Sequence, residues 1–246
     1  MGCETAFGRF CIFRYPPQPP QDTTLNVWAY IDGFNLYNGA LKGTSYKWLN
    51  LHSFSQSLRP TDNVSHVKYF TARVNVRPGD PGQPNRQQLY WRAIRSIGTV
   101  EIIEGHFLTR STYLPEVTSL DAIAAKYEQG IDVRSLKPDM AHVYRSEEKG
   151  TDVNLAVQLV HDAHLSRFDA AIIVSNDSDL ARAVKIVRTE VGKQVFVFHP
   201  HSSHPSFQLK QSATRFRKIT ISHLQNNQFP LTITDANGVF SKPKAW

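Results

Sequence analysis

The stretch at 170–180, AAIIVSNDSDL, constrains this chain more than any other. Ala170, Ala171, Ile172, Ile173 and Val174 form an apolar run with no period-2 alternation, the pattern of a strand buried on both faces of a parallel sheet. Ser175 and Asn176 then turn the chain, Asp177 and Asp179 follow, and 180–191 carries a helical pattern. Two carboxylates therefore sit where a central strand ends and a helix begins. In open α/β sheets, ligands bind outside the carboxyl ends of the strands. Two anions placed there either meet a cation or cap the helix.

The rest of the chain alternates in the same way. Strand patterns occupy 25–31 (LNVWAYI), 64–72, 100–108, 194–198 and 217–221, with helical spacing at 36–41, 50–58, 85–97 and 207–213. Asn50 is a candidate cap, and Gly98 and Gly192 end helices. Lys149-Gly150-Thr151-Asp152 introduces a further helix, with Thr151 as expected N-cap and Val153, Ala156, Val157 and Val160 as its apolar stripe. Alternating strands and helices imply a mainly parallel sheet with helices on both faces. One domain is expected over 25–221. Residues 1–24, with Pro16, Pro17, Pro19 and Pro20, read as an extended arm. Residues 109–139 read as an insertion, a hairpin arm, with 140–145 pairing back onto 100–108. Residues 222–246 are polar and turn-rich, a tail without a clear element.

Composition narrows the class. The chain has 246 residues, 41% hydrophobic and 20% charged, enough for a sizeable core. Lys and Arg outnumber Asp and Glu by 28 to 21, a formal charge of +7, which favours a polyanionic partner such as nucleic acid. The two cysteines, Cys3 and Cys11, build neither a disulfide framework nor a cysteine zinc site. An intracellular, cytoplasmic setting is expected. Neither a membrane span nor a signal peptide is indicated, and Ala6 stands where a myristoylation motif requires Ser or Thr.

Four acids fall at element ends. Asp32 ends the first strand, Asp152 opens a helix, and Asp177 and Asp179 follow the central strand. Each has an ordinary reading as a cap, a first-turn acid or a turn residue. Their coincidence at one rim of a parallel sheet is harder to explain that way. Buried like charges repel, and a divalent cation removes the repulsion. An oxygen-only donor set selects Mg²⁺ or Mn²⁺ over zinc.

Three stretches, Tyr30-Ile31-Asp32-Gly33-Phe34-Asn35-Leu36, Lys149-Gly150-Thr151-Asp152-Val153 and Val174-Ser175-Asn176-Asp177-Ser178-Asp179-Leu180, together resemble the signature stretches of NYN domains, a family of PIN-like metal-dependent ribonucleases. The resemblance runs from about 25 to 221. It implies a PIN-like three-layer α/β/α sandwich with a mainly parallel central sheet. It also implies RNA hydrolysis to 5′-phosphate and 3′-hydroxyl products, an acidic site of Asp32, Asp152, Asp177 and Asp179, and supporting roles for Asn35 and Ser175. Asp32 and Asp177 are expected to bind the ion directly, and Asp152 and Asp179 through water or as part of a second ion site. Asn176 departs from the family, which commonly has Gly there, and 109–139 is long.

Basic residues near the rim are candidates for phosphate contacts: Lys149, Arg73, Arg77, Arg182 and Lys185. A second cluster, Lys210, Arg215, Arg217 and Lys218, interleaves with Phe207 and Phe216. His199, His201 and His204 invite a zinc reading, but no further ligand group is evident and the flanking prolines mark a loop. His199, and more distantly His106, are candidates for touching substrate. The expected activity is metal-dependent cleavage of RNA, with assembly into a homo-oligomer left open. The alternatives are an RNA-binding module that does not cut, or a phosphatase or glycosyltransferase using Asp177-Ser178-Asp179 as an Asp-x-Asp pair. The phosphatase pattern puts that pair on the first strand, and no nucleotide-sugar context is readable for the glycosyltransferase.

Overall fold

The computed structural model describes residues 24–76, 79–201 and 204–246. The Pro-rich arm, both cysteines and Arg77 lie outside those residues.

The first strand, β1 (Asn26–Asp32), runs into a short helix α1 (Gly33–Leu36) that passes directly into a π-turn at Tyr37–Leu41. Next come α2 (Leu51–Leu58), β2 (Asn63–Ala72), α3 (Gln83–Arg95) and a 16-residue strand β3 (Val100–Pro115). They are followed by α4 (Val117–Glu128), β4 (Met140–Lys149), α5 (Thr151–His164) and β5 (Ala170–Val174). A 3₁₀ turn at Ser178–Leu180 leads into α6 (Ala181–Thr189), then β6 (Gln194–His199), α7 (Phe207–Ser212), β7 (Arg215–Lys218) and α8 (Ile221–Gln225). A hairpin of β8 (Thr232–Asp235) and β9 (Gly238–Ser241) follows.

Seven strands form one sheet in the order β4-β3-β2-β1-β5-β6-β7, all parallel except β4. The alternating side chains of β1 show why both faces must be covered. Val27, Ala29 and Ile31 enter one core with Leu51 and Phe54 of α2 and Trp91 and Ile94 of α3. Tyr30 enters the opposite core with Leu155 and Leu159 of α5 and Val184 and Val187 of α6. The result is the three-layer α/β/α sandwich that the resemblance implies. All five residues of β5 are buried, as an apolar run flanked by strands on both sides and helices on both faces must be.

The opposite core holds one polar network. Asp162 of α5 is fully buried and accepts from Lys68 Nζ at 2.6 Å, Tyr30 Oη at 2.7 Å and Arg167 Nη1 at 2.7 Å. Burial alone pushes its carboxyl up, but these donors outweigh burial and hold it below the usual carboxylate range.

Four expectations are corrected. α5 buries Leu155, Leu159 and Ala163, while Val153 and Val157 are 66% and 61% exposed. Valines at helical spacing marked the helix but not its inner face. Its N-cap is Gly150 at φ 95°, not Thr151, which lies inside the first turn. β4 pairs with β3 from His106↔Lys149 to Pro115↔Met140, so that 140–145 face 110–115 and not 100–108. β3 is longer than expected because it continues with β4 as an exposed two-stranded ribbon, where no core imposes an apolar alternation. The C-terminal stretch is structured: Phe229, Phe240 and Trp246 pack around the buried Trp48 at 5.6, 6.4 and 6.2 Å between ring centres.

Candidate active site

The parallel register of β1 and β5 sets Ile31 level with Val174, so the two chains leave the sheet together at Asp32 and Ser175. Ser175 Oγ donates to Asp32 Oδ2 at 3.0 Å and accepts from the Asp177 N–H at 3.0 Å. The other carboxylate oxygen, Oδ1, accepts from the Asn35 N–H at 2.9 Å. Asn35 Oδ1 in turn accepts from the Asn176 N–H at 3.0 Å. Asn35 and Ser175 thus tie the ends of the two strands into one hydrogen-bonded unit, with Asp32 at its centre.

Asp177 has both roles that the sequence left open. Its Oδ1 accepts from the Asp179 N–H at 3.0 Å and caps the 3₁₀ turn, and its side chain also faces the shared cavity. Asp152 arrives from the first turn of α5. The cavity, about 270 Å³, is lined by Asp32, Asp152 and Asp177 together with Glu148 of β4. Asn35, Asn38, Phe34, Thr151 and His201 complete the wall. Asp179 is exposed and does not line the cavity, but its charge acts on Asp152.

The electrostatics are unfavourable as they stand. Asp32 is 5% exposed, and its carboxyl is pushed up to about 7. Burial is the largest cause, and the charges of Asp152 and Asp177 add to it against the hydrogen bonds from Asn35 and Ser175. Asp152 is pushed up to about 6, by burial first and then by Asp177, Glu148 and Asp179. Among the described residues, no three His, Cys, Asp or Glu side chains close into a ready-made metal cage. The anionic donors are nonetheless all carboxylate oxygens, on an open cavity that also carries the side chains of Asn35, Asn38 and His201. That arrangement suits a hard divalent cation bound through one or two carboxylates and keeping part of its water shell.

Around this centre the basic candidates are dispersed. Lys149 pairs with Glu147 at 3.1 Å, Arg73 with Glu104 at 2.8 Å and Arg182 with Glu190 at 3.6 Å, and Lys185 is exposed on α6. None of these four lines the acidic cavity. Lys210, Arg215, Arg217 and Lys218 are all exposed on α7 and β7.

The histidines sort by tertiary position. His199 is buried and stacked on Phe216 at 4.8 Å, and burial holds its ring below the ordinary imidazole value. His204 contributes only its backbone carbonyl, which accepts from Asn176 Nδ2 at 3.0 Å. His106 is exposed on β3 opposite Lys149. His201 is the one that reaches the acidic cavity. The sequence pattern groups it with His199 and His204 as a zinc candidate and not with the acids, and residue reading missed Glu148 and Asn38. Glu148 was within reach of inference, because it stands directly before the Lys149-Gly150-Thr151-Asp152 motif. Its Oε1 accepts from the Thr151 N–H at 3.1 Å.

A relative in Pseudomonas putida, named 6-hydroxy-3-succinoylpyridine 3-monooxygenase HspA, is 31% identical over 247 aligned positions, spanning 90% of this chain and 75% of the relative. Among solved structures, a protein of unknown function from Vibrio parahaemolyticus aligns at 16% identity and TM-score 0.49, covering 82% of this chain and 97% of its own. A Sir2 chain bound to acetylated peptide aligns at 10% identity and TM-score 0.33, covering 82% and 91%. The NYN domain family matches residues 26–222, which takes in all three acid-bearing stretches. By that match, over most of its length, the chain belongs to the NYN domain family.

Proposed function

We propose that the protein is a metal-dependent ribonuclease that hydrolyses RNA phosphodiester bonds at the Asp32 cavity. The observation that carries this reading is a buried carboxylate, held by two hydrogen bonds at a strand end and sharing its cavity with three further acids from other elements. Such a cluster stores repulsion that a cation relieves. Asp32 and Asp177 would hold Mg²⁺ or Mn²⁺ directly, with Asp152 and Asp179 acting through water or on a second ion. When bound, the ion lowers the pKa of its water and offsets charge developing on the phosphate. The chain's own part is positional. Ser175 and the Asn35 N–H fix both oxygens of Asp32, and the Gly150 turn delivers Asp152. Lys149, Arg73, Arg77, Arg182 and Lys185 would hold the RNA backbone outside the acidic cavity, where positive charge does not compete for the ion site.

Single-turnover cleavage of labelled single-stranded RNA with Mg²⁺, Mn²⁺ or EDTA tests this. Cleavage is expected with metal only. Asp32→Asn and Asp177→Asn are expected to lose about 100-fold or more, since even groups behind a ligand cost 10- to 100-fold. RNA binding should survive in both. Wild type that binds RNA and leaves it intact with Mn²⁺ present would make this a binding module instead.

A second reading has its own observation. The Pseudomonas relative is named for action on a small substituted pyridine, and an aromatic cavity adjoins Asp32 in this chain. An enzyme for a small aromatic molecule would use that cavity rather than a long basic surface.

A further inference from the structure

Phe34 also lines a second cavity, of about 300 Å³. Its walls carry the rings of Phe34, Tyr37, Tyr69, Tyr90 and Trp246. The wall is rigid where it matters. Tyr90 is buried and its hydroxyl donates to the Leu49 carbonyl at 2.8 Å. Tyr69 lies flush on the backbone of Gly33, where an added Cβ would meet its ring at 2.8 Å. Tyr90 meets Tyr69 and Trp246 edge-to-face at 6.4 and 5.6 Å.

The polar groups in this cavity are unequal. Arg86 is engaged with Asp80. Lys47 is half-buried and makes no ion pair among the described residues. A cavity of this size, apolar with a few convergent polar groups, is the usual form of a small-ligand site. Aromatic walls favour a flat ring, and an unpaired ammonium favours an anion beside it. Phe34 is shared with the acidic cavity, and Gly33 directly follows Asp32, so the two cavities adjoin.

We propose that this cavity binds a planar heteroaromatic ring carrying an anionic substituent, with Tyr37 against the ring and Lys47 on the anion. A nucleotide and a small aromatic acid share that chemistry. The proposal does not depend on RNA cleavage, because binding here needs neither metal nor turnover.

The test is metal-free titration of the full chain with four probes, followed by tryptophan fluorescence and calorimetry. Adenosine 5′-monophosphate and pyridine-3-carboxylate are the anionic rings, and adenosine and pyridine-3-carboxamide are their neutral counterparts. At least one anionic ring should bind about tenfold more tightly than its counterpart, as a charged hydrogen bond worth 1.5–3 kcal/mol requires. Lys47→Gln should erase that preference, and Tyr37→Ala should weaken both members of the pair. Melting curves confirm that each variant is folded. Preference for the nucleotide assigns the cavity to a base with its phosphate, and preference for the pyridine acid assigns it to a small aromatic substrate. No binding of either anionic ring at millimolar concentration overturns the proposal, as does a preference that survives Lys47→Gln.

Discussion

Asp32 carries the largest electrostatic strain at the acidic cavity, and its titration is a direct measure of it. An unfolded Asp titrates near pH 4, and here the carboxyl is pushed up to about 7. The folded state therefore binds the proton more tightly. The cost of burying the charge is absent below about pH 4, grows as pH rises, and is complete above about pH 7. In EDTA, Asp32→Asn is expected to melt higher than wild type at pH 8, by about 5 °C or more, given 2–4 °C per kcal/mol at this size. The gain should shrink at pH 4.5. An equal gain at both pH values would mean that burial of the charge is not its source. Asn35 and Ser175, named from the motifs, do hold Asp32. That much was readable because both lie within a few residues of a strand end.

Among the elements, α5 decides where Asp152 points. Its first turn is set by Gly150 at φ 95°, a left-handed conformation that costs other residues about 1–3 kcal/mol. Gly150→Ala is expected to lower stability by about 1–2 kcal/mol in urea titrations. It should also weaken Mn²⁺ binding by calorimetry, because the helix start and Asp152 move together. Unchanged Mn²⁺ affinity would separate Asp152 from the ion site. The same helix shows the limit of periodicity. Val153, Ala156, Val157 and Val160 fit a helical stripe as well as Leu155, Leu159 and Ala163 do. Which stripe faces inward depends on the sheet behind it, and that sheet is made by residues far away in sequence.

At the scale of the whole molecule, the two faces of the sheet are closed by different means. One is covered by α5, α6 and α7, each adjoining a strand it serves. The other needs the C-terminal segment as well as α2 and α3. Trp48 is enclosed there by Phe229, Phe240 and Trp246, and its Nε1 donates to the Pro230 carbonyl at 2.8 Å. Arg92 of α3 lies over the Phe240 ring at 4.2 Å and pairs with Asp235 at 2.6 Å, which fastens the β8–β9 hairpin to the domain. Phe240→Ala is expected to cost about 3 kcal/mol in denaturant titrations. A cost below ~1 kcal/mol would show that the hairpin is an appendage.

The order of strands and helices in the parallel part of the sheet, the interior place of β5 and the three acid-bearing strand and helix ends were all determined by the sequence. Each depends on a short run of neighbours: an unbroken apolar segment, a turn residue, a cap. Tertiary structure alone decided which of those ends meet. It brought Glu148 and His201 to the acids from β4 and from the loop after β6. It turned the leucine face of α5 inward, and it built the aromatic cavity from residues as far apart as Phe34 and Trp246. Burial, repulsion and cavity shape are set by distances between residues remote in sequence, and no local pattern encodes those distances.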